Sequence, residues 1–361
     1  MSQPEGAQFW VAFHLVPYIG SHRVYRLLER FGSLEQAWSA PVPDLRAVLD
    51  ERSLSSLIQH RQELDPVREL ERINRAGIRV LTRNCRDYPR LLAEIPAPPP
   101  VLYVKGSLSY EDAVAVSIVG TRKLTSYGLE VTRRLATELA DAGVVVVSGL
   151  ARGIDGIAHE AALKAGGRTI AVLGSGVNVI YPPEHRGLAE QITGAGALLS
   201  DYPPDRGPDA PNFPARNRII AGLTLGTIVV EAPTRSGALI TTDFALDYGR
   251  EVFAVPGSVL SHVSSGCHRL LRHGARLVTC AADVLDDLNL VAPGDAAPVQ
   301  QSLPLEEDER RLLALLTGEP QHIDEVAEAA GRPIAQVAAL LLTMELKGLI
   351  HNAGAQHYTR T

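Results

Sequence analysis

The sequence has few of the residues that define small secreted or membrane-bound folds. It holds 3 cysteines in 361 residues, and Cys85, Cys267 and Cys280 lie far apart. A small odd number of dispersed cysteines excludes a disulfide framework and a cysteine-based zinc site, and it fits a reducing compartment. No apolar run is long enough to span a membrane, and the N-terminus lacks the basic segment of a signal peptide. We therefore expect a cytoplasmic protein that contacts no membrane.

Positive charge and aromatic side chains are scarce as well. Lysine and arginine number 35 against 41 aspartate and glutamate residues, which gives a formal net charge of −6, and aromatic residues make up 5% of the chain. A polyanionic ligand would therefore need a local basic patch, and few rings are available to stack on nucleic-acid bases. The length predicts two or three domains.

Signatures of catalysis, cofactor binding and metal binding are also missing. The sequence contains no G-x-x-x-x-G-K-[S/T] loop, no H-E-x-x-H and no carboxylate cluster with metal-ligand spacing. Asp155 and His159 lie four residues apart on a predicted helix and could pair, but no serine or cysteine nucleophile accompanies them. A structural role is favoured for this pair, although the sequence leaves it open. We expect no catalytic residue, no cofactor and no bound metal.

What the sequence does contain is a repeated alternation of strands and helices. Short β-branched runs at residues 113–119, 144–147, 169–173, 227–231 and 251–256 are separated by amphipathic helical segments. Continuous apolar strands of this kind are buried on both faces of a parallel sheet. The pattern predicts an α/β fold with an extended Rossmann-like, doubly wound sheet over residues 83–290.

Two smaller domains are predicted to flank the sheet. Residues 1–82 form short helices that fit a helix-hairpin-helix, a sterile-alpha-motif-like bundle or a plain packing module. Residues 291–304 form a linker, and residues 305–361 form three helices and a hairpin that turns at 352–354, which is winged-helix architecture. The third of these helices carries almost no basic residues, so a protein contact is favoured over duplex DNA for this domain.

Small and basic residues follow several of the predicted strands. The glycines allow close backbone approach, and arginine is suited to two-pronged contacts with phosphate. The alternative is that the glycines only form turns and that the arginines pair with carboxylates such as those of Asp155, Glu231 and Asp243. Because the carboxyl ends of parallel strands share one edge, we favour an extended anion site there. The residues concerned are Gly120, Thr121, Arg122, Ser148, Gly149, Arg152, Gly153, Ser236 and Gly237, with Arg216 and Arg218 just before a helix.

The turn after the first strand of the main domain does not fit a dinucleotide. It reads Gly120-Thr-Arg-Lys-Leu-Thr-Ser-Tyr-Gly128, which is not G-x-G-x-x-G. The next long strand ends in Ser148 and Gly149, where a dinucleotide fold would place the acidic residue that binds the ribose. A dehydrogenase is therefore disfavoured.

Several stretches in this order resemble the DNA processing protein A (DprA/Smf) family. They include Ile118-Val-Gly-Thr-Arg122, Val147-Ser-Gly-Leu-Ala-Arg-Gly-Ile-Asp155, Phe213-Pro-Ala-Arg-Asn-Arg218, Ser236-Gly-Ala-Leu-Ile-Thr241 and Ala254-Val-Pro-Gly257. Together with shorter matches they cover roughly half of the chain. The resemblance implies binding of single-stranded DNA, homodimerisation through the Rossmann-like domain, and delivery of RecA recombinase onto that DNA during natural transformation.

The resemblance also implies roles for individual residues. Gly120, Thr121 and Arg122 would hold a phosphate, with Ser148, Gly149, Arg152 and Gly153 beside them and with Asn217 and Thr241 along the same groove. Arg168 stands where the family commonly has lysine, which keeps the charge but changes the geometry. The candidates for stacking on bases are Tyr127, Tyr181 and Phe213.

Two other functions remain as alternatives. The first is a Rossmann-type nucleotide-processing hydrolase of the lysine-decarboxylase-like group, which needs a P-G-G-x-G-T turn and a glutamate in the following helix. Residues 236–241 offer no such glutamate. The second is a purely regulatory winged-helix protein, whose recognition helix would need the basic residues that this chain lacks. The sequence does not indicate which surfaces would form a dimer or contact RecA.

Overall fold

The structure is a computed structural model that describes residues 6–290, 307–316, 321–346, 350–354 and 357–360. The described residues fall into two compact units, which divide between residues 293 and 294. Within these described ranges, no helix is both long enough and apolar enough to cross a membrane.

Six short helices begin the first unit. Ser33, Asp50 and Asp65 each start one of them, because their side-chain oxygens accept hydrogen bonds from backbone amides of the first turn. These helices bury an apolar cluster that includes Trp10 and Phe13. The helices are α1 (Ala7–Leu15), α2 (Ser21–Phe31), α3 (Leu34–Ser39), α4 (Val42–Leu45), α5 (Glu51–Glu63) and α6 (Pro66–Arg75).

Strands and helices then alternate to the end of the first unit. The strands are β1 (Arg79–Thr82), β2 (Val101–Gly106), β3 (Ala115–Val119), β4 (Val145–Ser148), β5 (Thr169–Val172), β6 (Ala197–Ser200), β7 (Gly226–Val229), β8 (Glu251–Ala254) and β9 (Arg276–Leu277). The helices are α7 (Arg90–Ala93), α8 (Ser126–Asp141), α9 (Ile154–Lys164), α10 (Arg186–Ala195), α11 (Asn212–Gly222), α12 (Ala238–Asp247), α13 (Ser265–Arg272) and α14 (Ala281–Asp287).

All nine strands form one sheet in the order β1-β2-β6-β5-β4-β3-β7-β8-β9. The seven strands from β6 to β9 are parallel, whereas β1 and β2 add to one edge as antiparallel strands. The chain proceeds outwards from β3 in one direction through β4, β5 and β6, and in the other through β7, β8 and β9. The strand order reverses at β3, where an open α/β sheet leaves a crevice outside the carboxyl ends of its strands.

The N-terminal helices pack directly on the sheet. Val101 and Tyr103 of β2 belong to the same apolar cluster as Trp10 and Phe13. β1, which ends at the predicted boundary residue 82, pairs with β2. The N-terminal helices and part of the sheet therefore share one apolar cluster within a single compact unit, and the division into separate domains at residue 82 remains a proposal.

The second unit has the order of a winged helix, and with it the structure confirms the predicted fold class. It contains α15 (Glu307–Leu315), β10 (Gln321–His322), α16 (Ile323–Ala330), α17 (Ile334–Leu346), β11 (Ile350–Gly354) and β12 (His357–Arg360). Residues 352–354, predicted as the hairpin turn, instead belong to β11, whose pairing with β12 is irregular between Asn352 and Gly354. The predicted linker at 291–304 lies outside the described residues.

Candidate functional site

An open cleft of about 890 Å³ lies outside the carboxyl ends of the parallel strands, where the strand order reverses. Turns after several strands and the first turns of the following helices contribute its walls. The lining residues include Gly120, Thr121, Arg122, Lys123, Ala151, Asp155, Tyr181, Phe213, Arg216, Asn217, Ser236, Gly237, Thr241, His262 and Val263.

The turn after β3 packs backbone against backbone on the turn after β4. The carbonyl oxygen of Thr121 accepts a hydrogen bond from the amide of Ile154 at 3.3 Å. Gly153 has a φ of +80°, and a Cβ atom there would lie 2.4 Å from the same oxygen. A side chain at residue 153 would thus force the two turns apart, so glycine fixes the shape of this wall.

A carboxylate of the protein itself occupies the N-terminus of α8. Glu231 follows β7, is buried, and accepts hydrogen bonds from the amide of Thr125 at 2.9 Å and from its hydroxyl at 2.5 Å. A Cβ atom on Gly128 would lie 2.2 Å from Glu231 Oε2. In a dinucleotide-binding fold the helix after the first strand offers its N-terminus to the pyrophosphate. Here the carboxylate of Glu231 takes that position.

Asp155 and Arg216 place two opposite charges beneath the cleft. Both side chains lie against Gly149, where a Cβ atom would be 2.5 Å from Arg216 Nη2 and 2.7 Å from Asp155 Oδ2. Asp155 accepts hydrogen bonds from the amides of Gly149 and Ala151. Arg216 donates to the carbonyl of Gly149 at 2.8 Å and also to that of Val172. The two side chains therefore hold the turn after β4 against the end of β5.

Burial shifts the pKa values of both groups towards their neutral forms. Burial raises the pKa of Asp155, while the Arg216 charge and the amides of Ala151 and Gly149 act in the opposite direction. Burial lowers the pKa of Arg216 to about 10, and the Asp155 charge opposes that change. Arg216 thus stays protonated at neutral pH, and it puts a fixed positive charge at the floor of the cleft.

An exposed cation and two rings form one side of the cleft. The guanidinium of Arg122 lies 5.9 Å from the centroid of the Phe213 ring, and the rings of Phe213 and Tyr181 are 5.5 Å apart. Arg122 forms no ion pair with any described residue. The described residues thus combine a positive charge that can bind phosphate with an aromatic surface that can stack on a base.

Two polar side chains on α11 and α12 complete the floor. Asn217 donates a hydrogen bond to the carbonyl of Gly237 at 3.2 Å. Thr241 is buried, and its hydroxyl has no hydrogen-bond partner among the described residues. Because a buried polar group without a partner is costly, this hydroxyl is available to a ligand that enters the cleft.

The structure gathers most of the predicted site residues. Gly149 and Arg152 line a small depression that adjoins the cleft beside Arg122 and Phe213. Arg152 is engaged, since its Nε donates to Glu184 at 2.5 Å. The hydroxyl of Ser148 is buried and donates to the carbonyl of Ile118 at 2.6 Å, so it supports the wall from below. The predicted residues that line the main cleft are Gly120, Thr121, Arg122, Arg216, Asn217, Ser236, Gly237 and Thr241.

Arg168 is not brought to the cleft. It immediately precedes β5 and therefore lies at the amino edge of the parallel strands, whereas the cleft is at the carboxyl edge. Its guanidinium forms two hydrogen bonds with Asp112, at 2.8 and 3.0 Å, and further ones with the carbonyls of Ser107 and Ala195. Arg168 joins the ends of neighbouring strands, so the structure gives it an architectural role.

Arg218 also points away from the cleft. Its guanidinium donates to Asp201 and to the carbonyl of Ala97, both at 2.5 Å. The side chain is mostly buried and connects α11 to the proline-rich segment before β2. One helical turn thus directs Arg216 towards the cleft floor and Arg218 to the opposite side.

The two titratable residues whose pairing was left open do not contact each other. His159 is buried, and its Nδ1 is 2.7 Å from Thr169 Oγ1, whereas Asp155 is held by the amides of Gly149 and Ala151. Burial lowers the pKa of His159 to about 3, so the ring is neutral at neutral pH. Within the described residues, no group of three His, Cys, Asp or Glu side chains could hold a metal ion.

Lys123 and His262 also line the cleft, although sequence reasoning did not select them. His262 belongs to the loop after β8, and a position just beyond the carboxyl end of a parallel strand was the available signal. Of the three aromatic candidates, Tyr181 and Phe213 line the cleft. The hydroxyl of Tyr127 instead donates to the carbonyl of Pro256 at 2.7 Å.

Comparison with known proteins agrees with this architecture. The sequence model of DNA recombination-mediator protein A matches residues 79–289, and that of the DprA winged helix domain matches residues 296–355. The chain belongs to the DprA family. Protein Smf from Synechocystis is 36% identical over 390 residues, and the match covers 98% of each chain. Protein Smf from Escherichia coli is 44% identical over 272 residues, which covers 73% of this chain and 72% of that protein.

Solved structures of the DprA family share the fold. The X-ray structure of DprA from Streptococcus pneumoniae superposes with a TM-score of 0.70 at 35% identity, and it covers 79% of this chain and 99% of that one. A structure that describes the single-stranded DNA binding mode of DprA from Helicobacter pylori has a TM-score of 0.53 at 31% identity. It covers 59% of this chain and 95% of that one.

Proposed function

We propose that this protein binds single-stranded DNA in the cleft at the carboxyl edge of its sheet. The observation that carries the proposal is the exposed guanidinium of Arg122 beside the rings of Phe213 and Tyr181. Proteins that bind single strands without sequence preference combine a cationic groove for phosphates with aromatic faces for bases. The DprA relative from Helicobacter pylori, described as binding single-stranded DNA, supports this assignment.

The proposed contacts divide by chemistry. The turn of Gly120, Thr121 and Arg122 holds a phosphate, and Asn217 and Thr241 supply hydrogen bonds deeper in the cleft. Arg216 adds positive charge from below. Because the chain carries a formal net charge of −6, repulsion elsewhere on the surface would help to confine the polyanion to this edge.

The wider role that we propose is mediation of recombination during natural transformation. Family membership supports delivery of RecA recombinase onto the bound strand by a homodimer formed through the Rossmann-like domain. We assign the winged-helix unit to a protein contact in preference to duplex DNA, and we expect the protein to act in the cytoplasm. The proposal involves no catalysed reaction, cofactor or metal.

A nucleotide hydrolase fits the cleft less well. Both buried carboxylates next to it are engaged, Asp155 by two backbone amides and Glu231 by Thr125. The lysine-decarboxylase-like group also needs a glutamate in the helix that follows its glycine-rich turn, and residues 236–241 offer none. Release of free base from AMP by the purified protein would favour the hydrolase over the DNA-binding role.

The decisive experiment measures affinity for single-stranded and duplex oligonucleotides of equal length across a range of salt concentrations. We expect tighter binding of the single strand, and an affinity that falls as salt rises because phosphate contacts release counterions. Arg122→Ala should weaken binding of the single strand about tenfold, since one charged phosphate contact is lost. Equal affinity of Arg122→Ala and the unaltered protein would refute the site.

The RecA role is tested by the rate of RecA assembly on single strands with and without the protein.

A further inference from the structure

The loop after β8 carries two exposed apolar side chains at its tip. Val259 is 86% exposed and Leu260 is 93% exposed, which are the largest values for any large hydrophobic side chain in the described residues. Single apolar residues scattered over a surface are ordinary. Two adjacent ones at the tip of one loop form a small apolar patch, and its exposure to solvent calls for an explanation.

The loop that carries them is held in place by hydrogen bonds. Within the tip, the amide of Ser261 donates to the carbonyl of Ser258 at 3.0 Å, and the amide of Leu260 donates to the hydroxyl of Ser258 at 3.3 Å. At the base of the loop, His268 Nε2 lies 3.0 Å from the carbonyl of Gly257. The exposure of Val259 and Leu260 is therefore built into an organised turn.

The tip adjoins the DNA cleft. His262 and Val263, the second and third residues after Leu260, line the cleft. The amide of Ala232, in the turn after β7, donates to the carbonyl of Val263 at 2.7 Å and fixes the loop to that wall. Residues 256–263 contain no acidic side chain that would repel DNA and no lysine or arginine that would bind phosphate. A strand that leaves the cleft on this side meets an apolar surface.

We propose that Val259 and Leu260 contact the bases of single-stranded DNA next to the segment held in the cleft. This inference rests on the proposed function and extends it to a second contact. Apolar side chains such as leucine contact base faces in many nucleic-acid complexes. The two contacts would then lie in different regions. Arg122 binds phosphate inside the cleft, and the loop tip binds bases outside it.

The test uses the full-length protein and oligothymidylates of about 6 and about 20 nucleotides, because single-strand sites span about 4–16 nucleotides per domain. A double variant, V259S/L260S, should bind the longer strand about fivefold more weakly and the shorter strand almost normally, since an aliphatic contact with a base should contribute less than an aromatic stack, which is worth about tenfold or more per base. The slope of log affinity against log salt should stay unchanged because no charge is altered. Val67→Ser, at a residue 54% exposed on α6, is the matched control and should leave both affinities unchanged.

Each other outcome contradicts a specific claim. Unchanged affinity of V259S/L260S for both strands overturns the base contact while leaving the cleft proposal intact. An altered oligomeric state in light scattering, with unchanged DNA affinity, assigns the tip to a protein contact and overturns the inference as well. Failure of the unaltered protein to bind either strand refutes the proposed function itself, and the loop contact with it.

Discussion

Arg122 and Arg168 carry the same charge on opposite edges of one parallel sheet. At the amino edge, Arg168 uses its guanidinium on Asp112 and on two backbone carbonyls. At the carboxyl edge, Arg122 is exposed above a ring and pairs with no carboxylate in the described residues. The difference shows that an arginine in this fold is available to a ligand only where the strand ends provide no acceptor for it.

A similar contrast, between a buried and an exposed arginine, exists near the cleft. Arg216 is buried near Asp155, whereas Arg152, in the depression that adjoins the cleft, is about half exposed and pairs with Glu184, which is exposed to a similar degree. Buried opposite charges hold the turns in place, and exposed pairs contribute little to stability because water screens them. Four tests, which use five substitutions, examine these differences between buried and exposed charges and between the two edges of the sheet.

The largest effect is expected at the buried charges. Asp155→Asn should lower the free energy of unfolding by about 3 kcal/mol, because the buried Arg216 cation loses the carboxylate charge that acts most strongly on it. Urea denaturation followed by circular dichroism measures the change. Glu184→Gln, which breaks the exposed pair with Arg152, is the control and should leave the unfolding midpoint unchanged. Equal unfolding midpoints for the two variants would show that the buried and the exposed charges contribute alike to stability.

A second test uses pH and the neutral histidine one helical turn further along α9. The pKa of His159 is lowered to about 3 in the folded protein, against an ordinary value near 6.5. The unfolded chain therefore binds an extra proton between these values, so this residue makes stability fall as pH decreases from about 6.5 towards 3. The expected loss between pH 7 and pH 5 is about 2 kcal/mol. In His159→Leu that part of the pH dependence should disappear, as judged by urea midpoints at both pH values.

The third test compares the two edges directly. Arg122→Ala should reduce affinity for single-stranded DNA and lower the salt slope by about 0.7, the value for one phosphate contact on a single strand. Arg168→Ala should leave the affinity and the slope unchanged, and it should instead lower thermal stability because Asp112 loses its partner. A loss of DNA affinity in Arg168→Ala, without a loss of stability, would show that the amino edge also binds DNA.

The smallest effect concerns the exposed pair. Glu184→Gln removes the charge that engages Arg152, which lies in the depression beside Arg122. The affinity for single-stranded DNA should rise about twofold, with a slightly steeper salt dependence, because Arg152 becomes available to a phosphate. Fluorescence anisotropy at several salt concentrations measures both quantities. A weaker affinity would mean that Glu184 positions Arg152 for the DNA.

The sequence predicted the parts of the site that depend on local order. Strand–helix alternation and the shared edge of parallel strands are enough to bring the turns of Gly120, Gly149 and Ser236 together. The partners of individual arginines could not be predicted in this way. Asp112 is 56 residues from Arg168, and Asp201 is 17 residues from Arg218, so both pairs depend on how distant strand ends meet.

The addition of β1 and β2 to the sheet escaped prediction for a similar reason. Antiparallel pairing of β1 with β2 and of β2 with β6 joins segments that no helical crossover connects. A short strand after a helix gives no sign of the sheet that it will join. Likewise, nothing in the spacing of Tyr181 and Phe213 indicates that their rings meet at one side of the cleft.

The position of Glu231 bears on selectivity between small phosphate compounds and other anions. Its carboxylate accepts hydrogen bonds from the amide and the hydroxyl of Thr125 at the start of α8. A free nucleotide that approached this helix would therefore have to displace a buried anion, which would also repel it. We therefore expect nucleoside triphosphates and dinucleotide cofactors to bind weakly at the start of α8, which is where dinucleotide-binding folds hold the pyrophosphate. The DNA contacts that we propose in the cleft would then face little competition from small phosphate compounds at the start of α8.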